Sequence, residues 1–349
     1  MESNHGMSLR TVIEYFDNFV SVIGFVLNSL LIYLIIYKTG TRLKDYRPIL
    51  LQNCLIDTFF TIVNMMTKTQ SDQKNGNFYI YMIGPLANID APYNNLIICF
   101  WVFAFYFCVT GVPVQFVYRY IIIVKGIKVT LHHYFVLLFS AFISALTYTL
   151  LTVYTFWPDK VSWEKAAALL RADHNYDEGI PSFVVASIDE WSLRVLFGYA
   201  YFLVTCVYVI TVFSNLKIWR HLKAMENQMS AQAKDAQRQI TVTLILQAVI
   251  PCVVSLIPIL TAVTMTVFHA NVPGVSLVVA LLYTVIPVAN SLLTLIVIRN
   301  YRKNLVLMLR RICGMKNHRI EPTTSSKVPP MIPATIEGIA SKGCLEQLT

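Results

Sequence analysis

The chain has 349 residues, 56% hydrophobic and only 13% charged, with 28 Lys and Arg against 19 Asp and Glu for a net charge of +9. Soluble domains carry about a quarter charged residues, so this composition excludes an ordinary soluble globule and points to the membrane class. No soluble basic module carries the positive balance, which excludes a nucleic-acid-binding protein.

A bilayer core about 30 Å thick takes about 20 helical residues to cross. Seven apolar stretches reach that length: 11–37, 48–67, 93–118, 133–157, 193–216, 239–268 and 274–298. The expected fold is therefore an all-α membrane protein, a bundle of seven transmembrane helices over 11–298. Residues 1–10, "MESNHGMSLR", are polar and read as an extracellular N-terminus. The first span is too long for a signal peptide and has no small-residue cleavage pattern, so it is expected to remain as a helix. With the N-terminus outside, 21 of the 28 Lys and Arg fall in the cytoplasm and 7 outside. That asymmetry favours an external N-terminus and a cytoplasmic C-terminus.

Among the loops, the outer segment 158–192 is the largest and is rich in acid. Its "WEKAAALLRADHNYDE" predicts a short amphipathic helix. Asp173, His174 and Asp177 within it are too loosely spaced for a metal site and read as a solvated acidic surface. The inner segment 217–238 is built of strong helix formers and predicts extensions of the flanking helices. Residues 299–313 mix apolar Leu305, Leu307, Met308, Leu309 and Ile312 with basic Arg302, Lys303, Arg310 and Arg311. This is the pattern of a juxtamembrane amphipathic helix on an anionic leaflet. Cys313 at its end is a candidate for palmitoylation. Residues 314–349, rich in Pro, Ser and Thr, are expected to be a disordered cytoplasmic tail.

The seven cysteines include no C-x-x-C pair. H-E-x-x-H, G-x-G-x-x-G and P-loop motifs are missing as well. No enzyme, cofactor or metal is expected. The unusual chemistry is polar and deep. Asp57 stands in "LLQNCLIDTFFTIVNMM", ten residues from Arg47; Asn28 lies ten before Lys38, and Asn290 nine before Arg299. At about 1.5 Å per residue all three sit near one depth, roughly mid-membrane. Isolated in lipid they would be costly; facing one another they can share hydrogen bonds. Pro251 and Pro258 in the sixth span and Pro287 in the seventh mark places where a helix can bend.

The resemblance emerges from these residues. Asn28, Asp57, "VYRY" (117–120) and "IPVAN" in the seventh span resemble a G-protein-coupled receptor. "RPILLQNCLIDTFFTIVN", "LILQAVIPCVVSLIPIL" and "YTVIPVANSLLTLIVIRNYRKNL" are more specifically similar to nematode serpentine chemoreceptors of the Str-type superfamily, class delta in particular. The resemblance implies an external small-molecule ligand and a heterotrimeric G protein as partners, with lipid around the helices. It implies a plasma-membrane location, in a sensory neuron the ciliary membrane. Arg119 stands where such receptors keep the arginine that locks the inactive state, but Tyr118 replaces the usual neighbouring acid. Pro287 and Asn290 occupy the switch region of the last helix in the order Pro-x-x-Asn, reversed from the rhodopsin-like order. Asn28, Asp57, Arg119, Pro251, Pro258, Pro287 and Asn290 are thus the switch candidates. Asn94, Asn95, Trp101, Tyr199, Met265 and His269, in the outer halves of the bundle, are the candidates for a mostly apolar ligand pocket. The competing reading is a channel or carrier with an ion path through Asp57.

Overall fold

The computed structural model describes residues 3–39, 47–127, 130–157, 160–171, 182–225, 257–270 and 275–312, with scattered positions between 242 and 256. Pro251, the loop acids Asp173 and Asp177 with His174, Cys313 and the tail 314–349 lie outside the described residues. The chain forms two compact units, 1–307 and 308–349. Of the second, only 308–312 is described, and it is helical.

Nine helices are described: α1 (Ser3–Lys38), α2 (Arg47–Thr67), α3 (Tyr93–Ile123), α4 (Leu131–Thr155), α5 (Lys160–Arg171), α6 (Trp191–Met225), α7 (Ile257–Val267), α8 (Val275–Val297) and α9 (Arg299–Ile312). Among the described residues five are long and apolar enough to cross a membrane, and a sixth is added if α8 and α9 count as one broken span. α7 lies in the second half of the sixth predicted span, and the scattered described positions before it, 242, 245, 246, 249, 253 and 256, are helical. α1 begins eight residues before the predicted span, and α6 continues past it to Met225.

α3 is the central helix, packed on α2, α4 and α6, while α1 lies between α2 and α8. Gly24 allows the α1–α8 approach, because a Cβ there would meet Val288 Cγ2 at 3.1 Å. Only 28% of the apolar window of α4 is buried, and Phe135, Phe139 and Leu150 point outward. In water such a surface would drive aggregation; in a bilayer it faces acyl chains. The chain bends by 95° between α8 and α9. Asn300 donates to the Lys38 carbonyl (2.7 Å), and the buried Tyr301 hydroxyl meets Thr39 (2.9 Å), so the start of α9 is tied to the end of α1.

The connections from α2 to α3 and from α5 to α6 contain a three-stranded antiparallel sheet that the sequence reading did not expect: β1 (Thr69–Lys74), β2 (Asn77–Met82) and β3 (Phe183–Ser187), in that order. The β1–β2 turn is the two residues Asn75 and Gly76, with φ of 49° and 77°. Both in the left-handed region is the requirement of a type I′ hairpin turn, which Asn-Gly meets at least cost. β3 joins the second outer loop to this hairpin, and Arg194 Nε of α6 donates to the Ile188 carbonyl (2.6 Å) just beyond it. Trp163 of α5 stacks on Phe183 at 5.3 Å, giving the sheet a small apolar core of its own.

Candidate functional site

Beneath the hairpin lies a cavity of about 90 Å³. Its walls come from five helices: Trp101, Val102, Phe105 and Tyr106 of α3, Tyr148 and Thr152 of α4, Leu196, Phe197 and Ala200 of α6, Ile259, Ala262 and Val263 of α7, and Tyr283 of α8. Phe156, which follows α4, also lines it, and the hairpin contributes Thr69, Gln70, Ser71, Phe78 and Ile80. The i, i+4 spacing of a helix stacks Trp101 on Phe105, with ring centroids 5.7 Å apart and planes within 4°. Phe105 in turn meets Tyr283 at 4.7 Å, and Tyr106 stacks on Tyr148 at 3.7 Å. No charged residue is among the described lining. In the hairpin outside the membrane, burial lowers the Lys74 ammonium while Asp72 works against that shift. Burial, and then the charge of Asp72, push the Tyr79 phenol up to about 12.

A chain of hydrogen bonds leaves this cavity sideways. Trp101 Nε1 donates to Asn64 Oδ1 at 2.8 Å, and Asn64 Nδ2 donates to Thr284 Oγ1 at 3.3 Å. The Thr284 hydroxyl donates to Asp17 on α1. Nearby, Lys68, the residue after α2, pairs with Glu14 of α1 at 3.0 Å. Thr284 follows the cavity-lining Tyr283, so α8 touches the cavity and the polar chain at adjacent residues.

Two turns along α2 from Asn64 sits Asp57, 4% exposed. It accepts from Asn290 Nδ2 at 3.2 and 3.3 Å and from Cys108 Sγ at 3.3 Å. Among the described residues no cation pairs with it. Asn28 does not reach Asp57. Its Nδ2 donates to Gly24 O at 3.0 Å and to Pro287 O at 3.4 Å. The three mid-membrane residues are thus two separate contacts onto one stretch of α8, 287–290, and not a single triad. A cavity of about 30 Å³ adjoins Asp57, Asn290, Asn53 and Gln115.

Of the remaining switch candidates, Arg119 is buried near the end of α3. Its neighbour Tyr118 meets Tyr134 of α4 edge-on at 5.9 Å, and Tyr134 donates to Gln52 of α2 at 2.8 Å. The tyrosine in place of an acid therefore joins an aromatic contact between α3 and α4. Pro258 falls in the first turn of α7, and the described positions 253 and 256 just before it are π-helical.

Of the six pocket candidates, Trp101 alone lines the cavity beneath the hairpin. Asn94 donates to Ser182, and Asn95 donates to the Phe156 carbonyl at 2.8 Å, so both fasten outer loops to α3. Tyr199 lines a different hollow of about 240 Å³ between α3, α4 and α6, and Met265 is buried in α7 outside the cavity beneath the hairpin. His269, with φ of 52°, covers Gly76 at the hairpin turn. The sequence reading missed Gln70, Phe105, Tyr106, Tyr148 and Tyr283. The Asn75–Gly76 pair was the available signal that the first outer loop folds back as a hairpin.

An aromatic cavity in a helix bundle, closed by a loop hairpin and hydrogen-bonded to a proline-containing helix, is the arrangement of a seven-helix receptor. Residues 13–306 match the family described as serpentine type 7TM GPCR chemoreceptor Str, and the chain belongs to that family. It is 21% identical over 316 residues to the G-protein coupled receptor str-33 of Caenorhabditis elegans, covering 85% of this chain and 90% of that protein. The fold is also that of squid rhodopsin, with a TM-score of 0.58 at 12% identity over 91% of this chain and 89% of the other. The protein is a chemosensory G-protein-coupled receptor, a multi-pass membrane protein of a receptor family.

Proposed function

We propose that a small molecule from outside occupies the aromatic cavity, displaces α8 against α1 and α2, and so activates a heterotrimeric G protein. The observation that carries this reading is the continuity from Trp101 through Asn64 to Thr284, on the helix whose Asn290 holds Asp57. A ligand touching Trp101 or Tyr283 acts on α8 next to that chain. Any state of the bundle with α8 moved must remake the Asn64, Asn28 and Asp57 contacts, so these contacts set the balance between states. Asn28, Asp57, Arg119, Pro251, Pro258, Pro287 and Asn290 are the residues assigned to that balance, with no catalytic role for any of them.

The orientation is N-terminus outside, on the strength of the 21-to-7 charge count. An epitope before Glu2 then labels intact cells and one after Thr349 only permeabilised cells. Placement in class delta rests on the quoted segments of the second, sixth and seventh spans. The sensory ciliary membrane is the proposed site of action. The function is tested by adding an agonist to membranes with purified G protein: nucleotide exchange is expected. An agonist current without nucleotide exchange would instead favour the ion path through Asp57.

A further inference from the structure

We infer that the hollow between α3, α4 and α6 is a second binding site, that it takes one hydrocarbon tail of a membrane phospholipid, and that the tail braces the wall of the cavity beneath the hairpin.

The hollow holds about 240 Å³, more than twice the volume of that cavity. Its floor is Thr110 and Val114 of α3 and Ala141 of α4, all buried, and its rim is Ser140 of α4 with Phe202 and Ile210 of α6, all exposed. The rim continues the outward surface of α4, where Phe139 and Ile143 are exposed, so the hollow opens onto the acyl chains that this surface already faces. Ser140 lies nine residues into α4 and Cys206 fifteen into α6. These are about 14 Å and 22 Å from the ends of two antiparallel helices, one depth well inside the hydrocarbon and away from lipid headgroups.

Water is a poor occupant. The Thr110 hydroxyl donates to the Tyr106 and Ala141 carbonyls (2.9 and 3.0 Å), Ser140 to the Leu137 carbonyl (2.7 Å) and Ser144 to the Ser140 carbonyl (2.8 Å). Their protons are taken, and no charged residue is among the described lining. A buried water needs about two to four polar partners. Left empty, the walls forfeit their dispersion contacts; a tail restores them and asks for no polar partner. The lining on α6 runs from Tyr199 to Ile210. That is about 16 Å along the helix axis, the shape of an extended chain.

Hollow and cavity share a wall. Tyr199 lines the hollow, and its ring lies over Tyr148 with centroids 6.0 Å apart and planes within 17°. Tyr148 stacks in turn on Tyr106 at 3.7 Å, and both of these line the cavity. On the other side Phe202 of the rim stacks on Tyr199 at 6.4 Å. Three tyrosines, one each from α6, α4 and α3, thus form the partition. A tail in the hollow presses on the open side of Tyr199 and holds the whole row in register.

The test uses the full-length receptor in mild detergent with dioleoylphosphatidylcholine as the probe. Native mass spectrometry counts retained lipid, and thermal melting measures its effect. Ser144 and Cys206 line the hollow from facing walls, so Ser144→Phe and Cys206→Phe each fill it. Leu150→Phe enlarges an exposed residue of α4 elsewhere and is the control. Wild type and Leu150→Phe are expected to retain one phospholipid and to melt several degrees higher with it. Both filling variants still fold, but bind it at least tenfold more weakly and gain nothing in melting temperature. Tyr148→Leu alters the cavity wall and not the hollow, so it keeps the lipid but gains only about half as many degrees. Unchanged retention in both filling variants overturns the site, and a full gain in Tyr148→Leu overturns the bracing. Cholesterol held in place of the phospholipid, and lost from the filling variants, overturns the assignment to a tail. A dimer mass that vanishes in those variants overturns it too, in favour of a second copy of the chain.

Discussion

Replacing Asn64 by Leu breaks the link between cavity and α8 at its middle. Asn64 is 4% exposed and bonded on both sides, so the substitution leaves the Trp101 indole N–H buried without an acceptor and removes the donor to Thr284. The orphaned donor costs about 1–3 kcal/mol, and the longer bond to Thr284 about 0.5–1.5 kcal/mol. Some of this is offset by the apolar leucine, leaving a net loss of about 2 kcal/mol. Trp101→Phe alone leaves Asn64 Oδ1 without its donor. The double variant removes both partners, so its cost should fall short of the sum by about 1–2 kcal/mol. The assay is equilibrium unfolding of the four receptors in mixed micelles by titration with dodecyl sulfate. Additivity within about 0.5 kcal/mol would refute the idea that these two side chains act as one link.

Asp57→Asn keeps the shape of the Asn290 contact while removing the carboxylate, and is expected to change maximal nucleotide exchange far more than agonist affinity. A large affinity loss with normal maximal exchange would move Asp57 into the ligand site. Gly76→Val puts a branched side chain at φ of 77° and into the His269 ring, and should lower the melting temperature by several degrees while weakening agonist binding; unchanged binding would separate the hairpin from the cavity. Acyl-exchange labelling should find palmitate on Cys313 and none on Cys344, so that Cys313→Ser abolishes the signal; labelling that persists in this variant would remove the assignment.

The membrane-spanning frame was readable because the bilayer imposes a length and an apolar composition that few other structures share. Asp57 and Asn290 stood out for the same reason: a polar group deep in an apolar run needs a partner, and each supplies the other's. Asn28 was harder, because depth along the axis does not say which way a side chain points, and it bonds a backbone carbonyl on α8 instead. The outer sheet escaped because β1, "TQSDQK", is polar throughout and shows no period-two pattern, although four of the six residues of β2 are buried. Only the Asn75–Gly76 turn marked it. Asn94 and Asn95 were chosen for their polarity near the outer end of α3. Polarity signals a need for hydrogen bonds, which loops can meet as well as ligands, and here Ser182 and the Phe156 carbonyl meet it.

The central claim is that the cavity beneath the hairpin is where an agonist acts. Ala200, 1% exposed and on its wall, gives the most direct test. A chemical library is screened on cells expressing wild type or Ala200→Phe at equal surface density, read by a second messenger. The account predicts that agonists of the wild type lose about tenfold or more in potency on Ala200→Phe, while the basal response stays the same. Agonists of undiminished potency on the filled receptor would contradict it.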